Sequence, residues 1–210
     1  MKKLTSSLPF RLLIGVIVGI VVGLVANATV IQVILTIKEL LGSLINFCVP
    51  LIIIGFIAPS ITRLKSNASR MLGLALVLAY SSSVCAALMS MGAGFAIIPS
   101  LSIQSAAEGL RDTPELLFTL AIDPIMSVMS ALVFSVLVGL AATWAKADTI
   151  TNVLEEFQRI VLDIVTRVII PILPFFIAGT FAGLAYQGSI TKQLPVFLIV
   201  ILIVMVGHYI

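Results

Sequence analysis

Apolar residues in this chain do not alternate with polar ones at the spacing of a half-buried helix or strand; they run on. Six long apolar stretches can be marked: about 10–26, 31–61, 71–98, 115–144, 151–186 and 194–210. About 20 such residues already cross the hydrocarbon core of a bilayer. There every backbone amide must be paired within its own segment, which leaves helices as the reading of such runs. The expected fold class is therefore an all-α integral membrane protein with about six transmembrane helices. Composition agrees, since only 10% of residues are charged against about 25% in a soluble domain that must cover its surface. The net charge of +3 comes from basic residues scattered between the apolar blocks. That is a topology signal and speaks against nucleic acid as a partner.

The first stretch carries Gly15, Gly19 and Gly23 at spacing four, a ladder on one helix face where a second helix can approach closely. The second is too long for a perpendicular span and contains Pro50 and Pro59, so a tilted or kinked helix is expected. Lys38 and Glu39 lie toward its outer end, within snorkelling reach of the interface. The third holds Tyr80, Ser81, Ser82 and Ser83 at mid-length and leads into a polar loop over 99–114. The fourth is interrupted by Asp123-Pro124; proline disfavours helix in the residue before it, so a broken helix or a re-entrant piece is expected there. Asp123, an intramembrane or interfacial carboxylate, invites a functional role, and capping of the half-helix that follows is the simpler account. The fifth opens amphipathic, with Glu155 to Arg159 and Asp163 to Arg167 as i,i+4 acid–base pairs, and turns fully apolar after Ile169.

Charge between the stretches orients the chain. Lys2, Lys3, Arg11, Arg63, Lys65, Arg70, Lys146 and Arg159 collect on one side; Arg111 and Lys192 fall on the other. By the positive-inside rule the N-terminus is cytoplasmic, as in a multi-pass protein of the plasma (inner) membrane. The basic N-terminus ahead of Leu12 to Ala26 reads as a retained first span, since the run exceeds a signal-peptide core and no cleavage site follows. Asn27-Ala28-Thr29 lies too near the bilayer to be a glycan site. Cys48 and Cys85 belong to no metal or disulfide pattern and read as small buried hydrophobes. The single histidine, His208, has no visible carboxylate partner for proton transfer. The last stretch ends at Ile210 without a charged tail, so the natural chain is expected to continue.

Taken in order, these features resemble the N-terminal half of the dicarboxylate/amino acid:cation symporters, the family of the glutamate and aspartate transporters. The similarity is carried by the glycine-laddered Leu12-Leu13-Ile14-Gly15-Val16-Ile17-Val18-Gly19 and by Leu44-Ile45-Asn46-Phe47-Cys48-Val49-Pro50-Leu51-Ile52. Asp123-Pro124 ahead of Ala131 to Ala142, and Ile169-Ile170-Pro171-Ile172-Leu173-Pro174-Phe175-Phe176-Ile177, complete it. Two departures mark a divergent branch. Asn46 stands where relatives have a basic residue just before the Val-Pro stretch, and Pro171-Ile172-Leu173-Pro174 replaces their Ala-Pro-Ile-Gly.

The resemblance implies a homotrimer of elevator transporters, with residues 1–210 as one membrane domain. Helices over about 10–61 and 115–186 would form the static scaffold; those over about 71–98 and 194–210 would travel with two hairpins and two further helices that hold nearly all substrate ligands. None of the latter is recognisable in this chain. It also implies a sodium role for Tyr80 and Ser83, which match the family's tyrosine and hydroxyl residue three positions on; Val84 replaces a serine often found next. Positions i and i+3 share a helix face, and a hard cation takes oxygen ligands. The alternative is that Ser81 to Ser83 hydrogen-bond back to carbonyls of the preceding turn. The expected activity is sodium- or proton-coupled symport of dicarboxylates or of acidic or neutral amino acids, with no cofactor and a sodium ion as a candidate ligand. The alternative is a non-transporting membrane scaffold that oligomerises through its helices. No nucleophile triad, phosphate loop or metal cluster supports an enzyme.

Overall fold

A computed structural model of the chain describes residues 7–64, 68–97 and 111–190, together with the single positions 198, 201, 202 and 205. Lys2, Lys3, Lys65, Lys192, His208, the loop over 98–110 and most of the stretch at 194–210 lie outside the described residues. Among the described residues six α-helices are delimited: α1 Leu8–Val25, α2 Ala28–Arg63, α3 Ala68–Ile97, α4 Val128–Trp144, α5 Asp148–Ile164 and α6 Ile170–Gln187. A π turn over Val165–Ile169 joins the last two. Among the described residues four helical stretches are long and apolar enough to cross a membrane: α1, α2, α3 and the continuous 148–187 helix; α4 is shorter.

The glycine ladder decides how α1 packs. Gly15, Gly19 and Gly23 are the buried residues of this helix. A Cβ on Gly15 would stand 2.7 Å from the carbonyl oxygen of Pro174, and on Gly19 and Gly23 it would run into those of Ala178 and Ala182. These partners also recur every four residues, so two small-residue stripes lie face to face. In lipid such seams are held by close van der Waals contact, since apolar surface gains nothing by leaving lipid tails. The rest of α1 looks outward, with Leu13, Ile17, Val21 and Val25 all more than half exposed.

α2 is the central element. Its N-cap is Asn27, whose side chain accepts from the Val30 N–H at 3.0 Å. The helix runs unbroken through Pro50 and Pro59, both fully buried. Its 36 residues measure about 54 Å at 1.5 Å per residue, against a hydrocarbon core of about 30 Å, so a strong tilt is required. The N-terminal half of α2 packs on α6, where Gly179 receives the stem of Lys38 and Gly183 the side chain of Leu35. The C-terminal half packs on α5 through Gly55 and Val161, and on α4 through Ala58, Ile61 and Gly139. The face that α4 turns inward is small throughout: Ala131, Ser135, Gly139 and Ala142.

Four expectations need correction. Residues 111–127 carry no helix, so the helix expected over 115–144 exists only from Val128. It is capped by Ser127, whose hydroxyl oxygen accepts from the Ser130 N–H at 3.1 Å, and not by Asp123, which lies exposed four residues upstream. Glu155 does not pair with Arg159; it accepts from Arg63 Nε at 3.2 Å, while Gln158 takes the same guanidinium at 2.8 Å. The partner lies on α2, beyond the reach of local spacing. Asp163–Arg167 forms as expected, at 3.2 Å. Cys48 is buried, but Cys85 is exposed on α3.

Candidate functional site

α3 stands apart from the packed body. Every side chain from Gly73 to Gly92 is exposed, and neither Gly73 nor Gly92 has a neighbour within 4 Å of where a Cβ would be. The helix is tied at its start, where Trp144 Nε1 donates to Ser69 Oγ at 3.1 Å. Tyr80 and Ser83 lie on this free stretch; Tyr80 is 75% exposed. No described residue of another element is brought against them. Two hydroxyls offer a hard cation two of the six or so oxygens it takes, so the described residues do not complete a sodium site. The back-bonding alternative is not seen either: none of Ser81, Ser82 and Ser83 donates to a described carbonyl. Both hydroxyls of the pair remain on one uncovered face.

Sequence reasoning missed a polar cavity of the packed body, a groove of about 510 Å³ lined by α2, the stretch 113–116 and the end of α6. Lys38, Glu39, Thr113, Glu115, Thr180 and Gln187 contribute its polar groups. Lys38 Nζ lies 3.4 Å from Glu39 Oε2 and 5.9 Å from the centre of the Phe176 ring. The non-helical stretch is pinned to both walls. Leu117 N–H donates to Thr36 Oγ1 at 3.1 Å, Arg111 N–H donates to Gln187 O at 3.1 Å, and the Arg111 guanidinium lies over the Tyr186 ring. The signal available in the sequence was the buried-length position of Lys38 and Glu39; their meeting with 113–116 and α6 was not legible from it. Asp123 lines no part of the groove, and no cluster of three metal-ligating side chains occurs among the described residues.

An all-helical body of small-residue seams, with apolar helices able to cross a bilayer, is what a secondary transporter requires. The profile of the sodium:dicarboxylate symporter family matches residues 8–210. The chain belongs to that family. It is thus a multi-pass membrane protein of a transporter family, and not of an enzyme family. Searches against individual curated proteins and against solved structures gave no match.

Proposed function

We propose that this chain forms the scaffold-bearing part of a cation-coupled symporter that carries a dicarboxylate, or an acidic or neutral amino acid, across the plasma membrane. The observation that carries the reading is the division of packing. α1, α2, α4, α5 and α6 interlock through glycine and alanine contacts, while α3 leaves its whole middle uncovered. That is what is expected of a static scaffold and of a helix that belongs to a moving transport unit. Tyr80 and Ser83 then serve sodium from the moving side, with the remaining oxygens supplied by elements outside the described residues. The outward faces of α2, α4 and α5 are the surfaces for a homotrimer, and the N-terminus is cytoplasmic.

Uptake by the protein, purified from its own membrane and reconstituted into liposomes, tests this reading. Imposed sodium and proton gradients are compared, with labelled succinate, aspartate and serine as substrates. Accumulation of one of these under one gradient, abolished when the gradient is collapsed, is the expected result. Uptake of none under either gradient by folded protein would leave a non-transporting membrane scaffold in its place. If sodium is the driving ion, Tyr80→Phe together with Ser83→Ala raises the sodium concentration needed for half-maximal uptake.

A further inference from the structure

Lys38 sits where a cation needs a reason. Its stem packs on Gly179, next along α6 from Ala178, which meets Gly19. Gly19 lies six residues before the end of α1 at Val25, or about 9 Å along the helix. The lysine is therefore well inside the span, at a depth where an unsolvated cation is costly. Its stem packs closely, the lysine Cβ and Cγ occupying the space a side chain on Gly179 would take.

The groove resolves the difficulty. It opens beside the ends of α6 and of the 111–116 stretch, and it brings polar groups from three elements around the ammonium. No described hydrogen bond satisfies the backbone of residues 112–116, and non-helical backbone at membrane depth is tolerated only where protein or water covers it. A groove of about 510 Å³ has room for water that would satisfy both the carbonyls and the ammonium. The charges present are one cation, Lys38, and two carboxylates, Glu39 and Glu115. A doubly charged anion is repelled by that balance. Lys38 gives Glu39 one of its three N–H donors, at 3.4 Å, and Glu115 has no ion-pair partner among the described residues, so a molecule with one carboxylate and one ammonium can place its carboxylate on a remaining Lys38 donor and its ammonium toward Glu115.

We propose that the groove between α2, the 113–116 stretch and α6 is a water-filled inlet from the outer face that binds a small zwitterion through Lys38 and Glu115. The proposal rests on the N-terminus-in orientation of the function proposed above, and it adds a site on the scaffold itself. Its test uses the full protein in membrane vesicles, with Cys48→Ala, Cys85→Ala and Thr113→Cys, and a membrane-impermeant methanethiosulfonate reagent applied to either side. Labelling from the outer side is expected. Alanine, as the zwitterion probe, should slow it about tenfold at roughly nine times its dissociation constant by occupancy, and succinate should not. Adding Lys38→Met should keep the labelling and remove the slowing. Labelling from neither side, or slowing that survives Lys38→Met, overturns the site. Labelling only from the inner side overturns the orientation instead, and with it the transporter topology.

Discussion

At the scale of single residues, the glycines separate into those that hold helices together and those that do not. Gly19 faces the backbone of Ala178, which cannot yield as a flexible side chain would. Gly19→Val should cost about 1–3 kcal/mol by overpacking, a melting temperature lower by roughly 2–12 °C in a chain of this size. Gly73 faces open space, so Gly73→Ala should leave the melting temperature unchanged or raise it slightly, alanine being about 1 kcal/mol the better helix former. Thermal unfolding in detergent reads both; equal losses would mean that the α1–α6 seam does not hold the fold. The Arg63–Glu155 pair, with side chains 54% and 35% exposed, is a weak clamp by comparison. A double-mutant cycle on Arg63→Ala and Glu155→Ala should give a coupling below about 1 kcal/mol, and less at high salt. The ladder on α1 was legible because spacing four is a helix face. Its partner stripe at Pro174, Ala178 and Ala182 was not, since two of the three are common residues whose role appears only when α1 lies on them. Arg63 escaped for the same reason: a partner 92 positions away leaves no local pattern.

At the scale of elements, the helix over 148–187 carries one π turn. Ile170 N–H reaches back five residues to the carbonyl of Val165, so one residue more than an α-helix needs is accommodated there. Because the turn absorbs that residue, the face α5 turns to α2, centred on Val161, and the face α6 turns to α1, centred on Ala178 and Ala182, keep nearly the phase of a continuous α-helix. Deleting Val168, which is more than a third exposed, should restore α-helical pairing and keep both seams, with the melting temperature unchanged or raised; a clearly lowered melting temperature would refute this account of the turn. Helix existence was readable almost everywhere from hydropathy, and the 30 residues of α3 match the third apolar stretch closely. It failed over 111–127, where Leu116 to Ala121 are apolar enough to suggest helix. The chain there is held extended by contacts that only the fold supplies, at Thr36 and Gln187. Asp123-Pro124 did signal a break, but the helix restarts at the serine that caps it, four residues later.

At the scale of the whole molecule, the account divides the chain into a packed scaffold and a helix that leaves it. The division itself was not legible in hydropathy, because α3 is as apolar as its neighbours; it lies in the absence of glycine and alanine contacts along its middle. The candidate sodium pair was legible only through resemblance, and the groove at Lys38 not at all, because its walls come from three separated parts of the chain. Spin labels measure the division directly. In a Cys48→Ala, Cys85→Ala background, one pair would join Val21 on α1 to Phe175 on α6, both exposed, and a second would join Val21 to Leu78 on α3. With sodium and a transported substrate added, the distance between α1 and α6 should stay fixed while that between α1 and α3 shifts or splits into two populations. An α3 distance as constant as the scaffold's, in protein shown to transport, would contradict the division.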